Sequence, residues 1–193
     1  MSWVESMSWI NAVNEFWFDE LGSRDWFGGG PRVDALIRER FGGLRENLKQ
    51  SPPGAEQLDA HGVVAAVIVF DQFSRNLFRD SAEAFATDSL ALALANLATN
   101  AKMDVPLGLH QRQFLYMPFM HSENGDMQVR SVELFGKLED PDLLGYAAHH
   151  KAIIDRFGRF PHRNAVLGRK STAAEEAFLV NERAQGRANT RAR

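Results

Sequence analysis

Residues 63–70 read VVAAVIVF, an apolar run that no polar residue interrupts. An element that is apolar all round has to be buried, so this run should lie at the centre of the fold. Its β-branched residues also suit a buried strand. We predict a helix over Leu58–Arg75 instead, because helical spacing continues through a segment too long for a typical strand. The chain offers no second strand-like run with which it could pair.

The same helical spacing recurs along the rest of the chain. The first helix is indicated by one apolar face, formed by Trp9, Ile10, Val13, Phe16 and Trp17. Turn-forming residues then separate further predicted helices: Pro31 to Leu44, Ser81 to Thr99, Leu107 to Ser122, Gly125 to Leu138, Pro141 to Phe157, and a last one capped by Ser171 or Thr172 that runs to Leu179. We therefore predict an all-α fold of about eight helices packed as antiparallel hairpins, with no sheet.

Length and composition limit the organisation of the protein. A chain of 193 residues suits one domain, and we predict a single helical domain over residues 1–181 and a mobile basic tail over residues 182–193. The absence of cysteine excludes disulfides and thiolate metal sites and fits a cytoplasmic protein. No apolar run approaches the roughly 20 residues of a membrane span, and the N-terminus lacks the pattern of a targeting peptide.

The charges are distributed unevenly between the two ends of the chain. Residues after Pro141 are basic on balance and the rest is acidic, which raises nucleic-acid binding as a possible function. The sequence pI of about 6.1 and the acidic body argue against it. We therefore predict no nucleic-acid partner.

The first polar motif is DQFSRN, at residues 71–76, where the buried helix ends. Asp71 and Arg75 are four residues apart in the order that favours an ion pair on a helix. Asn76 suits the end of the helix. The pair either tethers neighbouring helices or forms the polar floor of a groove.

The second motif, HSE, follows an apolar helical stripe that places His121 toward the interior. His121 is either a hydrogen-bonded core histidine or a ligand or base, and Glu123 lies beside it. These two residues lack the spacing of a helical zinc site, and we predict no metal.

The third motif is DRFGRFPHRN, at residues 155–164. Gly158 suits the left-handed residue that ends a helix, and Pro161 prevents its resumption, so the loop should be rigid. The guanidinium groups of the loop either pair with acids such as Asp71 and Glu123 or bind a carboxylate or phosphate. The polar residues of the loop are Arg156, Arg159, His162, Arg163 and Asn164. We assign neither His149 nor His150 of the preceding helix to a site.

The strings DQFSRN, FLYMPFMHSE and RFGRFPHRN occur in this order behind a first helix that ends FWFDELG. In these motifs the chain resembles a bacterial family, domain of unknown function nine-two-four, from about Trp9 to about Leu179. The family usually has proline where this chain has Ser74. The resemblance implies an all-helical fold of the tetratricopeptide-like superfamily, and it implies no activity, substrate or cofactor.

Our leading hypothesis is a soluble binding protein that holds a small anionic ligand or an acidic peptide terminus in a helical groove. Arg75, Arg159 and Arg163 would clamp the anion, and no cofactor is predicted. The predicted site comprises Asp71, Arg75, Asn76, His121, Glu123, Arg159, His162, Arg163 and Asn164. Because each motif carries charge that needs a partner, we expect the three motifs to meet in space.

The alternative is a hydrolase or transferase that acts on a phosphorylated or carboxylated small molecule. His121 or His162 would then be the general base. Nucleophile elbows, Walker loops, zincin helices and dinucleotide fingerprints are all missing from the sequence, which weakens this alternative.

Overall fold

The computed structural model describes residues 3–191, with side chains described for residues 8–184 except Ala55. Residues 3–191 contain no β-strand. The α-helices of this range are α1 Trp3–Asn14, α2 Ser23–Gly28, α3 Gly30–Gln50, α4 Ala60–Val67, α5 Ser74–Leu77, α6 Asp88–Asn100, α7 Leu109–Met120, α8 Gly125–Gly136, α9 Pro141–Phe157 and α10 Ala173–Arg191. Since α2 and α5 are short, the predicted all-α fold of about eight helices is confirmed.

The apolar run lies in the central helix of the molecule. Helix α4 continues without a break through a π-helical segment, Ile68–Phe73, into α5, so the strand alternative is excluded. Residues 63–70 are at most 1% exposed. Helix α4 packs against α1, α6 and α7, which explains why no side of this run is polar.

Aromatic side chains join the N-terminal helices to this centre. Trp17 lies in a second π-helical segment, Glu15–Glu20, which follows α1. Its ring meets Phe73 and Phe114 edge to face, at centroid distances of 5.6 and 5.3 Å. The aromatic face predicted for the first helix therefore holds the central helix and α7 together.

The second half of the chain is built from neighbouring helices in sequence. Residues 121–124 join α7 to α8, residues 137–140 join α8 to α9, and each pair packs side by side. Short connections between packed helices are the geometry of helical hairpins. The assignment to the tetratricopeptide-like superfamily stays a prediction.

The helix predicted from Ser81 to Thr99 is wrong in its first part. Ala82–Phe85 form a 3-10 turn, and α6 begins only at Asp88. The Thr87 hydroxyl donates to the Phe70 carbonyl at 2.7 Å and holds Thr87 out of helical geometry. This break places Asp88 in the first turn of α6, beside the central helix.

The end of α9 follows the prediction. Gly158 has a φ of 68° and donates its N–H to the Ile154 carbonyl at 2.8 Å. A 3-10 turn, Pro161–Arg163, follows. Thr172 then caps α10 as predicted, since its hydroxyl accepts from the Glu175 N–H at 3.3 Å.

Helix α10 extends through most of the segment for which the sequence predicts a mobile tail. Residues 192 and 193 of that tail lie outside the described part of the chain. The boundary at residue 181 and the mobility beyond it stay predictions. No helix within the described residues combines the length and the apolar character needed to cross a membrane.

Candidate functional site

Asp71 lies inside the π-helical segment Ile68–Phe73 and is 1% exposed. π-Helical turns are rare and occur frequently at functional sites. A carboxylate this deeply buried is tolerated only when it is paired and hydrogen-bonded. Its position therefore requires cationic or donor groups from other elements.

Three side chains satisfy the Asp71 carboxylate. The His121 Nδ1 atom lies 2.9 Å from both carboxylate oxygens, the Arg75 Nη1 atom lies 3.0 Å from Oδ1, and Gln72 donates at 2.6 Å. Burial opposes ionisation, but the charge of Arg75 and the hydrogen bonds from His121 and Gln72 outweigh it and hold the pKa of Asp71 below its usual range. An ionised carboxylate only accepts hydrogen bonds, so Nδ1 of His121 carries the proton.

His121 is the first residue after α7, and its side chain is 16% exposed. Burial lowers its pKa, and the charge of Arg75 adds to this effect against the opposing charge of Asp71. The ring is therefore neutral at pH 7, with its lone pair on Nε2. No described residue donates a hydrogen bond to Nε2.

Asp88 is a second carboxylate in this region that sequence reasoning missed. Arg75 Nη1 lies 3.1 Å from its Oδ1, and Arg163 Nη1 lies 3.3 Å from its Oδ2. Burial raises the pKa of Asp88 despite the charge of Arg75. The sequence did not single out Asp88, because the helix expected to begin at Ser81 would place it in the middle of that helix.

Arg163 reaches this region from the 3-10 turn after α9. Its guanidinium donates to the His121 carbonyl at 2.9 Å and lies between the rings of Phe85 and Phe160, 4.6 and 4.7 Å from their centroids. The Nε atom is buried and has no hydrogen-bond partner among the described residues. Burial accordingly lowers the pKa of Arg163.

Two further histidines complete the region. The ring of His150 lies 6.3 Å from that of His121, and Phe160 lies between His150 and His162, at 5.6 and 5.5 Å. Burial lowers the pKa of His150; burial and the charge of Arg163 lower the pKa of His162 to about 4. We call these residues the Arg–His cluster: Arg75, His121, His150, His162 and Arg163, with the carboxylates of Asp71 and Asp88. The sequence analysis assigned His150 to no site, but the structure places its ring beside that of His121.

Glu123 binds the third motif, as expected, but not through the predicted arginines. Its carboxylate accepts from Arg169 at 2.6 and 2.9 Å and from the Phe160 N–H at 2.8 Å. These bonds lower the pKa of Glu123 against the effect of burial. Arg169 was missed by the sequence analysis; Gly168, with a φ of 65°, turns the chain so that Arg169 faces this loop.

The three motifs therefore meet in space, but three predicted site residues make their contacts elsewhere. Asn76 donates to Asp34 at 2.8 Å, where Arg79 also binds. Arg159 forms a two-bond pair with the carboxylate of Glu175, at 2.7 and 2.9 Å. Asn164 donates to Ser171 at 3.1 Å and accepts from Arg169 at 2.9 Å. Arg159 anchors the start of α10, so it is not available for the predicted clamp with Arg75 and Arg163.

The donor set of the region does not resemble a metal centre. Within the described residues, no group of three or more histidine, aspartate and glutamate side chains is placed to hold a metal ion. Asp71 and His121 bind each other, and the arginines neutralise the carboxylates.

The fold and the polar region define an all-helical protein with a half-buried Arg–His cluster at the meeting point of α6, α7, α9 and the central helix. The chain belongs to the family of bacterial proteins of unknown function DUF924, whose model matches residues 13–183. A solved protein of unknown function from Agrobacterium tumefaciens is 33% identical, with a TM-score of 0.82, over 88% of this chain and 96% of the other. No curated protein matches the sequence.

Proposed function

We propose that this protein binds a small anionic molecule, or the acidic terminus of a peptide, at the Arg–His cluster. The observation that carries the proposal is the convergence of two arginines and three histidines from four separate segments. Titratable groups with shifted pKa values gather at functional sites more often than elsewhere. Location in the cytoplasm and solubility remain parts of this proposal.

The arginines of the cluster are already paired with carboxylates, so its histidines have to supply any further positive charge. Arg75 and Arg163 already hold Asp88, and Arg75 also holds Asp71. When the histidines are neutral, the positive charges of the two arginines equal the negative charges of the two aspartates. An added anion therefore has to be matched by protonation of an imidazole, and His162 is the most exposed of the three.

This charge balance predicts proton uptake on binding. The lowered pKa values leave the histidines of the free protein neutral at pH 7. An anion within about 4–6 Å raises a histidine pKa, so affinity should rise as the pH falls from about 8 to 6.

Isothermal titration calorimetry with inorganic phosphate and with succinate, at both pH values and in buffers of different ionisation enthalpy, tests the proposal. The variant His162→Gln keeps a polar side chain that cannot titrate, and it should lose most of the pH dependence. His61→Gln, an exposed histidine at the start of α4, is the matched control and should bind as the native protein does. Equal binding by His162→Gln and the native protein at pH 6 contradicts the proposal.

One observation favours the alternative of a hydrolase or transferase. The Asp71 carboxylate holds Nδ1–H of His121, which leaves Nε2 as a base between the charges of Arg75 and Arg163. Such a carboxylate–imidazole pair can accept a proton from water while the water oxygen bonds to phosphorus or an acyl carbon. The bond to the leaving oxygen then breaks, and that oxygen can receive the proton back from Nε2.

Hydrolysis of p-nitrophenyl phosphate and p-nitrophenyl acetate tests this second candidate. His121→Asn retains an N–H donor for Asp71 but has no base, so it should fold and lose the activity. Circular dichroism checks that it folds. A folded His121→Asn variant with undiminished turnover excludes His121 as the base.

A further inference from the structure

A cavity of about 530 Å³ shares no residue with the Arg–His cluster. It is formed by the end of α6, the turn after it, the middle of α7, and α8 with the residue that follows it. This volume is within the range of about 300–1,000 Å³ that is usual for small-molecule sites. None of the predicted site residues lines it.

The lining of this cavity is strongly basic. It includes Lys102, Arg112, Arg130 and Lys137, against the single carboxylate of Asp104. Among these cations, Arg130 pairs with Glu133, at 3.2 Å. Lys102, Arg112 and Lys137 form no ion pair with any described side chain.

Arg112 supplies the most specific observation. Its Nε atom is buried, and it has no hydrogen-bond partner in the part of the chain with described side chains. The guanidinium of Arg112 therefore has neither a hydrogen bond at Nε nor a carboxylate partner among the described residues. In the Arg–His cluster, by contrast, each arginine holds a carboxylate.

We propose that this cavity binds a phosphorylated small molecule, with the phosphate on Arg112 and the neighbouring lysines. A phosphate monoester carries about two negative charges at pH 7, which suits three unpaired cations. The planar fork of Arg112 matches two phosphate oxygens at once. This proposal is independent of the one for the Arg–His cluster.

Asp104 and Tyr116 restrict the rest of the ligand. The Tyr116 hydroxyl donates to Asp104 at 2.6 Å, and both residues line the cavity. Burial and the neighbouring carboxylate raise the pKa of Tyr116, so the phenol stays protonated. The pair repels a second phosphate but accepts from a ligand hydroxyl group, which favours a hydroxylated phosphate ester over a polyphosphate.

Calorimetric titration with glycerol 3-phosphate tests the proposal, with inorganic phosphate and pyrophosphate for comparison. Native protein should bind glycerol 3-phosphate more tightly than pyrophosphate, and binding should weaken as salt increases. Arg112→Gln should weaken it about tenfold or more, since it removes a charge-assisted bond. Arg24→Gln is the matched control, because Arg24 is exposed on α2 and lies outside the cavity lining.

Lys102 and Lys137 follow the C-terminal ends of α6 and α8. A competing explanation is that they only stabilise these helices through the helix dipole. In that case, Lys102→Gln and Lys137→Gln lower the melting temperature and leave phosphate-ester binding unchanged, which overturns the proposal. It is overturned equally if native protein does not bind glycerol 3-phosphate, or if Arg24→Gln weakens binding as much as Arg112→Gln. His162→Gln should leave this binding unchanged, which separates the two sites.

Discussion

The Nδ1 atom of His121 lies 2.9 Å from both carboxylate oxygens of Asp71, although the two residues are 50 positions apart in the sequence. The contact joins the π-helical segment of the central helix to the end of α7. Both side chains are polar and lie in apolar surroundings, and their mutual hydrogen bonds offset the desolvation cost of burying each of them. Arg163 donates to the carbonyl of the same histidine and so attaches the third motif to this pair.

Replacement of Arg163 by alanine should destabilise the protein strongly. The change leaves Asp88 half-buried with one cation fewer and removes the contacts with Phe85 and Phe160. Loss of one partner of a buried pair costs roughly 3–5 kcal/mol. Urea unfolding measures the effect, and Arg156→Ala, an exposed arginine of the same motif, should stay within about 0.5 kcal/mol of the native value. Equal small effects in both variants would contradict a structural role for Arg163.

Glu123 and Arg169 should be energetically coupled. Two bonds of 2.6 and 2.9 Å join them, and the Glu123 carboxylate also holds the Phe160 backbone. Each side chain is about a quarter exposed. Solvent screening should therefore limit the coupling energy to about 1–2 kcal/mol. A double-mutant cycle of Glu123→Ala and Arg169→Ala, followed by urea unfolding, measures it. Additive single effects would show that the bonds contribute nothing to stability.

The free energy of unfolding should fall as the pH drops from about 7 to 5. The pKa values of His121, His150 and His162 are lower in the folded protein than the value of about 6.5 in an unfolded chain. Below about pH 6.5 the unfolded chain therefore binds protons that the folded protein does not, and stability is lost toward acid. Urea titrations at several pH values test this, and His162→Gln should reduce the slope. A stability that rises toward pH 5 would mean that the histidine pKa values are raised on folding.

The hydroxyl group of Ser74 should contribute to stability. Ser74 is fully buried, accepts from Arg45 Nε at 3.1 Å and lies 2.8 Å from the Thr87 hydroxyl. Ser74→Ala leaves a buried guanidinium with one partner fewer, which costs about 1–3 kcal/mol. Thermal or urea unfolding measures the loss, with the exposed Ser51→Ala as the control. The family usually has proline at this position, and these contacts predict that Ser74 is firmly held without it.

Helix positions followed from the sequence because helical periodicity is a local property of the chain. The run at residues 63–70 is a helix as predicted, and Gly158 and Thr172 end and begin helices where expected. The break at Thr87 could not be read from the sequence. It depends on a hydrogen bond to Phe70, which only the packed central helix brings into reach.

The sequence by itself determined the all-α class, the buried centre at residues 63–70 and the meeting of the three polar motifs, since buried charge requires a partner of opposite sign. Tertiary structure alone decided which partners those are. Asp88, His150 and Arg169 joined the motifs, while Asn76 and Arg159 bound Asp34 and Glu175 instead. The physical reason is that an arginine or a carboxylate can pair with any opposite charge within reach, and only the packing of the helices sets those distances.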